Sequence, residues 1–409
     1  MSVIPLPQNY SNRFSAKSDV DSFFDNLDFP LFLSAMILLA MGLVMVASSS
    51  ISIAERELSD PLYYFWRQLS YSVVGLILAA IVFKIPLNYL QKTGPVLIVI
   101  GMILLLMVLI PGVGKEVNGS MRWLNLGIIS LQVSEFVKLA TVIYLAGYLV
   151  RHNEEVRTNL SGFLRPLVLI FFVSLLLILE PDFGAVAVIA MTAMGMLWLG
   201  GASFFQFILL MLTMAAVLSL VAISSPYRME RLTTFLNPWA DPFNSGFQLT
   251  QALIAFGRGE WFGVGLGASV QKLFYLPEAH TDFVFAVLAE ELGLLSVIFV
   301  IALFCFIVIR ALMIGRRAEK RERPFTAFLS YGLGIWLGLQ AFINVGVNMG
   351  VLPTKGLTLP LMSYGGSSLI IMCIVIALLL RADYETRQFD RKDQSKSGNR
   401  KKSLVGQSW

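Results

Sequence analysis

The chain has 409 residues, of which 56% are hydrophobic and 14% charged, with a formal net charge of +5. Soluble domains carry about 25% charged residues, so a soluble globular protein is excluded and an all-α polytopic membrane protein is expected. The two cysteines (Cys305, Cys373) and two histidines (His152, His280) support neither a disulfide framework nor a Cys- or His-based metal site.

Residues 1–28 form a polar tail with four aspartates, unlike the short basic start of a cleavable signal peptide. Ten apolar segments follow, near 29–50, 68–86, 92–112, 132–151, 163–180, 183–201, 203–224, 283–313, 325–350 and 361–381. Each approaches the roughly 17–25 residues that cross a bilayer. Residues 29–382 therefore read as one ten-helix domain, with 383–409 as a basic, solvated tail. An even number of spans leaves both termini on one side. With the N-terminus inside, the inner segments and flanking span ends hold 21 Lys/Arg and the outer loops 9. That asymmetry follows the positive-inside rule, so both tails are cytoplasmic. The basic balance belongs to the membrane face, and no nucleic-acid partner is needed to explain it.

Arg67 opens the second span on the outer side, and Arg122 lies beside Trp123 just before the fourth. The fourth span contains Glu135 and Lys138, which i,i+3 spacing places on one helix face. Charges inside a membrane mark functional sites by default, although a structural ion pair fits the same spacing. Glu180 and Asp182, in Glu180-Pro-Asp-Phe-Gly184, read as a turn and helix start.

The outer loop 225–282 is the longest, and loops of that size are usually functional. It carries Arg228, Arg231 and Lys272. Its apolar stretch Gly246–Gly257 is too short to span and suits a re-entrant or interfacial helix. The following glycines, from Gly257 to Gly267, indicate a closely approached backbone. They lack the strand-turn-helix context of a phosphate loop. The loop ends in Tyr275-Leu-Pro-Glu-Ala-His-Thr-Asp-Phe283, which holds Glu278, His280 and Asp282. Asp282, with Thr281 as N-cap, would open span eight, where the helix dipole favours an ionised carboxylate able to act as a base. A plain N-terminal helix charge fits the same position, and Glu278 and Glu290 are alternatives. Span nine presents Gln340, Asn344 and Asn348 as a polar stripe. The stripe suits either hydrogen bonding between helices or the lining of a headgroup cavity. A helix-breaking segment follows from Val351 to Ser368, containing Lys355 and Ser363.

These pieces, in this order, resemble the SEDS family (shape, elongation, division and sporulation proteins) over about residues 29–382. They are Gly119-Ser-Met-Arg-Trp123 with Leu131-Gln-Val-Ser-Glu-Phe-Val-Lys138, Glu180-Pro-Asp-Phe-Gly184, Phe235-Leu-Asn-Pro-Trp239, Gln271–Phe283 and Leu352–Ser368. Leu352-Pro-Thr-Lys-Gly-Leu-Thr-Leu-Pro360, Met45-Val-Ala-Ser-Ser-Ser50 and the long tails are most similar to the division branch. The resemblance implies a ten-helix glycosyltransferase of the inner membrane at the division septum. Such an enzyme polymerises lipid II into β-1,4 glycan and releases undecaprenyl pyrophosphate. The family's essential aspartate falls on Asp282. Arg67, Arg122, Arg228, Arg231, Lys272 and Lys355, with Lys138 deeper, are the cations for the diphosphate. Glu135, Glu278, His280, Asn344 and Ser363 complete the expected substrate surface. No cofactor is expected, although the diphosphate could bring a divalent cation. The implied partners are a class B penicillin-binding transpeptidase (FtsI-like) and other divisome proteins (FtsQ-, FtsL-, FtsB- and FtsN-like). A lipid II flippase, an elongation-type polymerase and a non-enzymatic divisome scaffold are the alternative readings.

Overall fold

The computed structural model describes residues 27–117, 120–125, 130–223, 229, 234–244, 246–273, 275–353 and 356–405. Arg228, Arg231 and Lys355 lie outside them. Among the described residues, eight helices are long and apolar enough to cross a membrane. They are α1 (Phe29–Leu58), α2 (Tyr63–Lys84), α3 (Leu87–Val108), α4 (Val133–Arg151), α6 (Leu160–Leu179), α10 (Val284–Lys320), α11 (Pro324–Asn348) and α12 (Gly366–Val405). The short α5 (Asn153–Thr158) joins α4 to α6. Two more apolar helices, α7 (Phe183–Leu199) and α8 (Phe204–Ile223), occupy the sixth and seventh expected spans. The amphipathic α9 (Phe247–Gly259) covers the stretch read as re-entrant or interfacial.

Three features differ from the sequence expectation. Helix α1 runs eight residues past the expected end at Ser50, and of these added residues only Ala54 is buried. A left-handed Ser59 (φ 57°) caps it. The segment before α4, for which the sequence reading gives no strand, is a small antiparallel sheet, β1 (Gly114–Val117), β2 (Ser120–Asn125) and β3 (Ser130–Gln132), in that order. Lys115 pairs with Trp123 and Leu124 with Leu131. Helix α12 also continues to Val405 rather than ending at residue 382. Ion pairs hold its extension: Asp383 meets Arg317 and Arg387, and Glu385 meets Arg323 and Arg381.

Close helix approach needs small residues where no hydrophobic effect drives association. A Cβ on Gly42 of α1 would lie 2.6 Å from the Met362 Cα, which seats the helix-breaking segment against the first span. At the N-terminal end of α1, Asp28 caps the helix through Leu31 N–H (3.3 Å) and accepts two Arg310 nitrogens.

Candidate functional site

Helix α10 breaks at Gly293 (φ 74°, ψ −176°), a conformation close to glycine-only. The break frees backbone groups, and the glycine-rich loop takes them. Val264 and Gly265 N–H donate to the Glu290 and Glu291 carbonyls, each at 3.0 Å. Leu294 and Leu295 N–H donate in return to the Glu260 and Trp261 carbonyls, at 2.9 and 3.3 Å. The loop is thus spliced into the helix, and buried polar groups remain paired. Gly263 (φ +80°) allows it, since a Cβ there would stand 2.1 Å from the Glu291 carbonyl oxygen.

The Glu290 and Glu291 side chains lock this splice, and both are fully buried. Glu290 accepts from Arg258 (3.0 Å), Ser269 Oγ (2.5 Å) and the Val270 and Gln271 N–H groups. Glu291 accepts from Ser48 Oγ (2.7 Å) and Lys272 Nζ (2.8 Å). Two expectations are corrected here. Glu290 is no alternative base, because its oxygens hold the loop. Lys272 is a buried partner of Glu291 and Ser48, not a cation facing a diphosphate. Adjacent acids in an apolar helix opposite Arg258 and Lys272 were the sequence signal for this clamp.

Asp282 lies in the chain between the two spliced segments and is half-buried. It does not open the helix with Thr281 as cap, because the N-cap of α10 is Phe283. Thr281 Oγ1 instead donates to Glu278 Oε2 at 2.6 Å. The Asp282 main chain is fixed by the stripe on α11. Asn344 and Asn348 each donate to the Asp282 carbonyl at 2.9 Å, and Asn344 also donates to the Leu357 carbonyl at 2.6 Å. Asn348 Oδ1 accepts from Ala286 N–H at 3.1 Å. Both asparagines are buried, so the stripe clamps backbone rather than lining an open headgroup cavity. Asn344 holds main chain at Asp282 and Leu357 rather than facing a cavity. On the far side of the clamp, the Asp282 carboxylate lies against Gly356, where a Cβ would sit 3.0 Å from Oδ2.

The same segment gathers other expected residues. Gln340 Nε2 donates to the Thr358 carbonyl at 3.1 Å, while its Oε1 accepts from Lys138 Nζ at 2.9 Å. Lys138 pairs with Glu135 at 2.8 Å, and both are buried. The Trp336 ring centroid lies 5.5 Å from Nζ. Ser363 Oγ accepts from Leu359 N–H at 2.8 Å, which shapes the turn instead of reaching outward. Gln68 of α2 donates to the Ser363 carbonyl at 3.0 Å.

His280 is buried beneath Tyr64 and Tyr364, whose ring centroids lie 4.7 and 5.5 Å away. Its carbonyl accepts from Tyr364 N–H at 2.9 Å. Burial pushes the imidazole below its ordinary value, against the pull of Glu278 and Glu57, which leaves it neutral at pH 7. Arg67 stands nearby on α2, bound to the Tyr63 and Tyr71 hydroxyls at 3.0 and 2.7 Å. Tyr64, three residues earlier on that helix, connects it to the His280 loop. Arg122 is directed elsewhere, donating to the Glu180 and Pro181 carbonyls at 3.2 and 2.6 Å. Asp182 caps α7 through Ala185 N–H, as its motif suggested. Buried Glu180 is pushed up to about 8, by desolvation first and then by Asp182.

Among the described residues, no group of three or more His, Cys, Asp or Glu side chains could hold a metal.

The family model described as "Cell cycle protein" (FtsW, RodA, SpoVE) matches residues 29–388. A relative from Nitrosococcus halophilus named probable peptidoglycan glycosyltransferase FtsW is 59% identical over 92% of this chain and 97% of its own. One of the same name from Legionella pneumophila is 57% identical over 86% and 89%. Among solved structures, a chain from a peptidoglycan synthase complex that coordinates polymerization and crosslinking superposes with a TM-score of 0.72 at 27% identity. It covers 88% of this chain and 99% of its own. The rod shape determining protein RodA of Thermus thermophilus gives 0.65 at 26% identity, over 88% and 97%. The chain is a multi-pass membrane protein and belongs to the FtsW/RodA/SpoVE cell cycle protein family, the SEDS family its motifs resemble.

Proposed function

We propose that the chain is a septal peptidoglycan glycosyltransferase of the bacterial inner membrane that polymerises lipid II, with Asp282 as general base. One observation carries the assignment of the base: the carboxylate of Asp282 faces Gly356 while its own main chain is pinned by Asn344 and Asn348. A positioned carboxylate within reach of a hydroxyl is the first requirement of general-base catalysis. The Asp282 carboxylate accepts the proton of the acceptor sugar's 4-hydroxyl as that oxygen attacks the donor's anomeric carbon. The bond to the diphosphate breaks on the opposite face, giving a β-1,4 linkage by inversion. Undecaprenyl pyrophosphate leaves as an anion, so no second acid is needed. Arg67, whose helix neighbour Tyr64 packs on the His280 ring, and, from the sequence, Lys355 are the cations assigned to stabilise the diphosphate. The relatives' names support the reaction, and the synthase-complex neighbour supports a class B penicillin-binding transpeptidase as partner.

The deciding experiment is polymerisation of labelled lipid II by purified Asp282→Asn with that transpeptidase. The change is nearly isosteric, so the protein should insert and melt as wild type. Removing a general base lowers the rate by about 10²–10⁴. A well-folded Asn variant with near wild-type polymerisation would remove Asp282 from the role.

A further inference from the structure

An apolar crevice of about 560 Å³ separates α1 from α2, with α12 as its floor. This volume is within the usual 300–1,000 Å³ range of ligand sites. Phe32, Leu76, Ala80 and Ala377 are among its walls, and Leu361 of the helix-breaking segment closes its deep end. At the opposite end stand Lys84 and Arg381, the latter held by the Phe83 carbonyl and Glu385. Of the carboxylates next in chain to its lining residues, Glu385 is shared between Arg381, Arg323 and Leu87 N–H, and Asp28 is engaged by Arg310 and Arg387. Lys84 is exposed and makes no ion pair among the described residues.

The crevice is at the end of the bundle that carries the basic clusters, the opposite end from Asp282. It is walled by residues exposed at the hydrocarbon surface, including Phe29 and Leu76. Such a space in a bilayer takes acyl chains, and a cationic rim at headgroup depth selects a negative headgroup. We infer that this crevice is a binding site for one anionic glycerophospholipid of the inner leaflet, its chains against Ala80 and Ala377 and its phosphate at Lys84 and Arg381. A polyprenyl diphosphate shares the chemistry of an apolar chain and an anionic head. Its reactive end belongs at the Asp282 face, however, so the phospholipid is the assigned occupant. The inference is independent of the role given to Asp282.

The test is native mass spectrometry of the purified full chain in micelles containing phosphatidylglycerol, phosphatidylcholine or undecaprenyl diphosphate. The wild type should retain one phosphatidylglycerol at least fivefold better than either competitor. Ala80→Trp, which fills the crevice from an exposed position, should lower retention tenfold or more. Lys84→Gln, a surface change with no folding risk, should cut the preference for phosphatidylglycerol over phosphatidylcholine about fivefold, the scale of one basic residue near a headgroup. Equal retention of the two phospholipids, preferential retention of undecaprenyl diphosphate, or an unchanged preference in Lys84→Gln overturns the assignment. A folded Ala80→Trp variant that still retains the lipid also overturns it.

Discussion

The side-chain amide of Asn344 holds the carbonyl of Asp282 at 2.9 Å across 62 residues of sequence. With Asn348 making the same contact, α11 fixes the main chain of the residue assigned as base while leaving its carboxylate to face Gly356. Asn344→Leu removes the side-chain donor to the Leu357 carbonyl and one of the two donors to the Asp282 carbonyl, where Asn348 remains. Each buried acceptor left unsatisfied costs about 1–3 kcal/mol. The expected result is a lower melting temperature and a turnover reduced tenfold or more, with a smaller change in KM. Kinetics on the purified variant decide it, and a destabilised protein with unaltered turnover would deny Asn344 its positioning role.

Lys138→Met should destabilise by about 3–5 kcal/mol, the usual cost of stranding one member of a buried pair. The stranded group is Glu135. Adding Glu135→Gln should recover most of the stability. Activity should remain at least tenfold down, because Gln340, which holds the Thr358 carbonyl, loses its ammonium partner. Full polymerisation by the double variant would make the pair purely structural.

Gly293→Ala places a side chain at a φ of 74° and against the Gly263 nitrogen, 2.3 Å from the added Cβ. The strain is about 1–3 kcal/mol before the clash is counted. The loop that leads to Asp282 should detach from α10. Faster limited proteolysis between residues 257 and 272 is the expected readout. Wild-type protease resistance would show that the splice is dispensable.

Glu180 supplies a pH test. Its folded pKa of about 8 exceeds the unfolded value of 4.5, so the fold favours the protonated acid. Stability from this group is present below about pH 4.5 and declines as pH rises through about 8. Glu180→Gln mimics the protonated form. It should raise the melting temperature by roughly 2–5 °C at pH 8.5 and change it little at pH 5. A shift of equal size at both pH values would contradict the buried-acid assignment.

Sidedness can be read by labelling. With Cys305 and Cys373 replaced by alanine, a cysteine at the exposed Asn244 should react with an impermeant maleimide in intact spheroplasts. One at Ser397 should react only after permeabilisation. The reverse pattern would place Asp282 in the cytoplasm and end the polymerase assignment with it.

Much of the architecture was legible in the sequence because lipid imposes one-dimensional rules. Span length and the short apolar stretch at Gly246–Gly257 reflect the thickness of the bilayer. The sheet before α4 is not legible in the sequence because its strands are only four, six and three residues long. Helix α12 outran its expected end because ion pairs to Arg317 and Arg323, on other elements, hold the extension.

At the site, the sequence by itself determined the Asp282 loop, the i,i+3 pairing of Glu135 with Lys138 and the shared face of Gln340, Asn344 and Asn348. Helical and loop spacing are local properties. Only the tertiary structure decided which polar groups were already engaged. Lys272 meets Ser48 across 224 residues, Gln340 meets Lys138 across 202, and the asparagine stripe closes on the carbonyls of Asp282 and Leu357. A buried polar group must find a partner wherever the fold supplies one, and sequence spacing carries no record of partners brought together from distant helices.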